Sequence, residues 1–126
     1  MNIKRLEQGL EYRGRVAAVR QTYHVFEASG QFLVLSFARA KDRKGSGYFN
    51  LIPATAVDYV HRRLGGRSGV TAKDVVLAAR RTRHVTNRLQ ALNILYVLVA
   101  LKRASIVRSG EHRQLYFSIT KPRRSA

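Results

Sequence analysis

No cysteine occurs in the chain, which excludes disulfide scaffolds, thiolate zinc sites and a cysteine nucleophile together. Histidine is scarce: His24, His61, His84 and His112 are widely spaced and lack ligand-like pairing, so no metal and no other cofactor is expected. Carboxylates are few as well, only seven Asp and Glu in 126 residues. No long hydrophobic run is present. The longest, Ile94 to Leu101, has eight residues, against about 20 needed to span a bilayer. The first residues, Met1-Asn2-Ile3-Lys4-Arg5-Leu6-Glu7, lack the apolar core of a secretory signal. A soluble intracellular protein without a membrane partner is expected, cytoplasmic and nucleoid-associated or nuclear.

What the chain has in excess is positive charge. Twenty-four Lys and Arg give a formal net charge of +17 at pH 7. A compact body with that charge repels itself, so a polyanionic partner is implied. Nucleic acid is the first candidate, because each neutralised phosphate releases counterions. With 45% hydrophobic residues the chain can bury one core, divided between two small lobes, and is not a disordered basic tail.

Ile3, Leu6 and Leu10 have helical spacing and predict a short amphipathic helix over 3 to 11; Val16, Ala17 and Val19 can extend its face towards Gln21. Three strand-like segments follow, 23–28, 32–38 and 48–52. Ser29-Gly30-Gln31 reads as a hairpin turn and Lys41 to Gly47 as a mobile cationic loop. Pro53 suits the first turn of a helix carrying Ala54, Val57, Val60 and Leu64 on one face. Gly65-Gly66-Arg67-Ser68-Gly69 ends it and reads as a hinge; it lacks the GK[ST] that a P-loop requires. Thr71-Ala72-Lys73-Asp74 is a capping-box start for the next helix. A basic turn, Arg80 to His84, leads into a longer helix from Thr86 to Arg103. Two strands, 104–108 and 114–119, close the chain as a hairpin before a basic tail at 121–126. The reading is α+β: a β-rich lobe over 1–52, a helical lobe with a C-terminal hairpin over 53–120, and the tail.

From Pro53 onward the order helix, helix, basic turn, long helix, hairpin resembles the winged helix-turn-helix family of DNA-binding domains. The resemblance covers the C-terminal half and is one of architecture, without a diagnostic motif. It implies a supporting helix at Thr71 to Ala79, a recognition helix starting near Thr86 that enters the major groove, and a wing over 104–119. One departure stands out: Ile94 to Leu101 is so apolar that only the first turns of that helix can face DNA, the remainder lying in a core or a dimer interface.

The charge pattern points to the same place independently. Arg80, Arg81, Arg83, His84 and Arg88 cluster at a turn and a helix N-terminus, where backbone N–H groups already attract phosphate. Asn87 and Gln90 bracket Arg88 and offer amides able to pair with adenine edges; the plainer reading of Asn87 is a helix cap. Arg83, Asn87 and Arg88 are the residues expected nearest to bases. Arg39, Lys41, Arg43 and Lys44 sit in a loop able to track a backbone or enter a minor groove. Lys73 at the capped helix start, and Lys102, Arg103, Arg108 and Arg113 around the wing, extend the footprint. The aromatics Tyr23, Phe26, Phe32, Phe37, Tyr48 and Phe49 suit base stacking on single strands, but strand alternation assigns most of them to the core.

Double-stranded DNA is therefore the expected partner, with RNA or single-stranded DNA behind it. A homodimer through the apolar helix is expected, in a transcriptional or genome-architectural role without catalytic residues. Two other classes compete. Asp42-Arg43-Lys44 with Glu27 upstream fits the (D/E)-x-K pattern of a small metal-dependent or junction-resolving nuclease, yet such sites need more carboxylates than are evident. A nucleoprotein-complex subunit would share the charge argument without needing Asn87 or Gln90.

Overall fold

Strand alternation organises the N-terminal half. The computed structural model describes residues 9–18, 21–37, 47–108 and 115–122. Strands β1 (Glu11–Ala17), β2 (Thr22–Ala28), β3 (Gln31–Phe37) and β4 (Gly47–Pro53) form an antiparallel meander in chain order. Ala28 pairs with Gln31, leaving the two-residue loop Ser29-Gly30, with φ of 47° and 79°. Positive φ at both positions is a type I′ turn, whose twist matches that of the strands it joins. One face of the sheet carries Val16, Tyr23, Val25, Phe32, Val34 and Ile52, all buried.

The first strand departs from expectation. Residues 3–8 of the expected helix lie outside the described residues, and Glu11 to Ala17, the region of its possible extension, is strand instead. Two causes are visible. A bulge between Tyr12 and Gly14 breaks the period-2 pattern that would announce a strand. Gly14 also lies against the end of a helix, where an added Cβ would stand 3.3 Å from the Ala100 carbonyl oxygen. The glycine permits that close approach.

The C-terminal half follows the expected order: α1 (Ala54–Leu64), α2 (Ala72–Ala78), α3 (Arg88–Ala100), then β5 (Ala104–Arg108) paired with β6 (Leu115–Ile119). Pro53 ends β4 and caps α1, one position ahead of the expected first turn. The capping box is complete: Thr71 N donates to Asp74 Oδ2 at 2.9 Å, and Asp74 N to Thr71 Oγ1 at 3.3 Å. The glycine-rich segment is no hinge. Gly66 N donates to Ile119 O at 2.7 Å, Ile119 N to Arg67 O at 2.9 Å, and Val70 and Phe117 exchange bonds of 2.9 and 2.8 Å. Residues 66–70 thus run as a short third member beside β6. Gly65 is required there, because an added Cβ would lie 2.7 Å from the His61 carbonyl oxygen and 2.5 Å from Pro122.

Helix α3 is the centre of the molecule. It packs against all four strands of the meander, both other helices and β5. Its residues Ala91, Asn93 to Leu98 and Ala100 are buried, and Tyr96 stacks on Tyr23 with ring centroids 4.3 Å apart. A single hydrophobic cluster runs from Val16 in β1 to Ile119 in β6. The apolar run expected to form a dimer seam is therefore covered by the chain's own sheet, and it supplies no reason for a dimer. For the same reason, the exposed residues of α3 lie at its start, at Arg88 and Leu89. Among the described residues, no helix is long and apolar enough to cross a membrane.

A candidate nucleic-acid interface at the two ends of α3

The N-terminal end of α3 gathers seven of the sequence candidates. Thr82 shapes the turn before it: its N donates to Ala79 O at 2.9 Å, its Oγ1 to the same oxygen at 2.8 Å, and His84 N donates to Thr82 Oγ1 at 3.2 Å. Val85 is buried beside the turn, and the His84 ring stacks on Tyr59 of α1 at 4.9 Å. His84 is thus a packing residue that anchors the turn. Arg80, Arg81, Arg83 and Arg88 remain exposed on this fixed backbone, at a helix start with no acidic residue in its first turn.

The side chains of Asn87 and Gln90 are engaged in the start of α3. Asn87 caps α3, its Oδ1 accepting from Gln90 N at 2.8 Å. Gln90 Oε1 accepts from both Thr86 N and Thr86 Oγ1 at 2.9 Å, and Asn87 Nδ2 donates to Thr86 Oγ1 at 3.5 Å. Bidentate pairing with adenine needs the amide oxygen as acceptor and the amide nitrogen as donor. Gln90 Oε1 accepts two hydrogen bonds already, so such pairing would exchange its bonds to Thr86. Arg83 and Arg88 are exposed, whereas both amides already bond within the chain.

The opposite end of α3 brings together Lys102 and Arg103, about 20 Å away for a 13-residue helix. Lys102 N donates to Val99 O at 3.0 Å and Arg103 N to Leu98 O at 2.8 Å, a Schellman ending. That motif places Lys102 at φ 63°, a left-handed conformation that glycine usually occupies and that costs other residues about 1–2 kcal/mol. Thr120 ties β6 to the same point, its N and Oγ1 both donating to Arg103 O at 3.0 Å.

These contacts enclose a cleft of about 970 Å³ whose walls include Asp58, His61, Arg62, Lys102, Arg103 and Lys121. Its cations outnumber its one carboxylate. Asp58 meets Arg103 at 3.8 Å, with both side chains largely exposed, so this pair is weak. His61 is buried and its Nε2 donates to Thr120 O at 3.0 Å. Sequence reasoning singled out Lys102 and Arg103 but not His61, Arg62 or Lys121. Three segments far apart in sequence build this wall, and no local pattern joins them.

Lys73 is exposed in the first turn of α2, and Arg108 closes β5 opposite Leu115. Arg39, Lys41, Arg43, Lys44 and Arg113 lie outside the described residues. Of the nuclease pattern, Asp42 and Lys44 also lie outside them, while Glu27 Oε1 is held by Arg13 at 3.3 Å. No group of three or more His, Cys, Asp or Glu among the described residues is placed to hold a metal.

Every described carboxylate has a partner: Glu11 and Glu27 with Arg13, Asp58 with Arg103, and Asp74 within its helix cap. Arg62, Lys102 and Lys121 at one end of α3, and Arg80, Arg81, Arg83 and Arg88 at the other, have no carboxylate partner among the described residues. No family model, no curated protein and no solved structure matches the chain.

Proposed function

We propose that the chain is a double-stranded DNA-binding protein of regulatory or genome-architectural type, which grips phosphates and leaves base edges largely unread. The observation that carries this reading is the pair of cation clusters at the two ends of α3, which have no carboxylate partner among the described residues and are each presented on fixed backbone. About 20 Å of duplex axis carries roughly 12 phosphates at one charge per 1.7 Å, so the seven cations of the two clusters have ample partners within one helix length. The engagement of Asn87 and Gln90 in the α3 cap favours backbone contacts over sequence reading. Hydrogen bonds to phosphate fix register without carrying sequence information directly.

Competition between unrelated 20-base-pair duplexes at matched salt tests this. Affinities are expected to agree within about tenfold, whereas a specific regulator separates its site from others by about 10³–10⁷. One duplex bound a thousandfold more tightly than the rest would replace the backbone-led reading with direct readout.

A further inference from the structure

The outer face of the four-stranded sheet takes no part in the core, and the interface at α3 does not use it. Its composition follows from the register. Tyr12 pairs with Phe26, Phe26 with Leu33 and Leu33 with Leu51; in the adjoining row Arg15 pairs with His24, His24 with Leu35 and Leu35 with Phe49. The bulge in β1 is what brings Tyr12 and Arg15, three apart in sequence, opposite Phe26 and His24, which are two apart. Without that extra residue the two side chains would fall on opposite faces.

We propose that this face binds single-stranded nucleic acid by stacking unpaired bases on Tyr12, Phe26 and Phe49. The two large hydrophobic side chains exposed on this face are both rings, Tyr12 at 52% and Phe49 at 61% exposure, while Leu33, Leu35 and Leu51 lie lower as a half-buried floor. Tyr12 is held in place: its ring lies 5.1 Å from Phe26, and its OH bonds His24 Nδ1 at 3.1 Å. β1 and β4 are three strand spacings apart, about 14 Å, and an aromatic sheet face of this kind stacks two or three bases.

Charge selects the occupant. No carboxylate occurs in either row, and Arg15 is exposed beside His24 at the β1 edge. Glu11 and Glu27 pair in the neighbouring register and are held by Arg13. A second copy of the chain would bring another +17 to this face, and that repulsion opposes self-association. A polyanion with exposed π-faces satisfies both the rings and the surrounding positive potential, with each stacked base contributing a sequence-tolerant increment. This proposal does not rest on the duplex reading.

The test uses the full chain with oligo(dT) and oligo(U) 12-mers and a random 20-base-pair duplex. Tyr12→Leu and Phe49→Leu keep an apolar face but remove the π-system. Each is expected to weaken binding of the 12-mers about 5- to 100-fold and to leave duplex affinity within about twofold. Phe49→Tyr is expected to retain single-strand affinity. Unchanged 12-mer affinity in the Tyr12→Leu/Phe49→Leu double variant would overturn the proposal, as would an equal loss on 12-mer and duplex. Wild-type dimers in sedimentation that Tyr12→Lys and Phe49→Lys convert to monomers would assign the face to a second copy instead. Tyr12→Phe, which keeps its ring, and Phe49→Ala, which loses it, compared at equal thermal stability, are expected to keep and to lose 12-mer affinity respectively should the double variant fold poorly.

Discussion

Replacing Arg62 and Lys121 with glutamine and Lys102 with glycine is expected to move affinity and stability in opposite directions. Each phosphate contact contributes a salt slope of about 0.9, equivalent to roughly eightfold in affinity at 0.1 M salt, so losing three costs about 10²–10³-fold. Stability should not fall with it. Arg62, Lys102 and Lys121 are exposed and make no ion pair among the described residues. Glycine at 102 relieves the left-handed strain of about 1–2 kcal/mol, and its extra freedom in the unfolded chain offsets about 0.4–1 kcal/mol of that gain. A net stabilisation of about 0.5–1 kcal/mol is expected, seen as a small rise in Tm. The combination separates binding from folding. A protein that uses the cleft only as scaffold would gain stability and keep its affinity. Duplex affinity unchanged in this variant would remove the cleft from the interface.

The second large effect concerns the core. Leu98 is fully buried on α3, the helix that packs against both the meander and the helical half. Leu98→Ala is expected to cost about 2–5 kcal/mol through lost transfer energy and the cavity left behind. That is a large share of a typical domain stability of about 5–15 kcal/mol. Because one cluster spans β1 to β6, the loss should be felt by the whole chain at once. Urea unfolding followed by tyrosine fluorescence and by far-UV circular dichroism should give coincident transitions, shifted together in the variant. Transitions that separate, with part of either signal keeping the wild-type midpoint, would show that the two halves do not unfold as one unit.

What was readable in the sequence was local. Tyr23 and Val25, then Phe32 and Val34, alternate cleanly because one face of their strands is buried, and they marked β2 and β3 without help from the rest of the chain. The Thr71–Asp74 box announced α2 because both of its hydrogen bonds close within one turn. The α+β class and the order of the last eight elements followed from such signals. The misreadings involved partners distant in sequence. β1 has one fully buried side chain, Val16, and a bulge, so its strand character depends on β2 beside it. α3 is apolar nearly all round because the sheet covers one side and α1 and α2 the other, a cover that no local pattern in the sequence announces. The candidate site divides in the same way. Arg80 to Arg88 were visible as a charge cluster at a helix start, whereas Asn87 and Gln90 belong to residue types that cap helices and read bases equally well. Only their hydrogen bonds distinguish the roles. The cleft of Arg62, Lys102 and Lys121 exists because α1, the end of α3 and the end of β6 converge, and the glycine segment beside it reads as a hinge until its bonds to β6 are seen.

The most direct measurement is the affinity of the unmodified chain for a random-sequence duplex between 50 and 200 mM salt. Contact with 6–10 phosphates predicts a fall of about 10³–10⁵-fold across that range, with a log–log slope of about −5 to −9. A fall of less than tenfold would mean that phosphates are not what this surface holds.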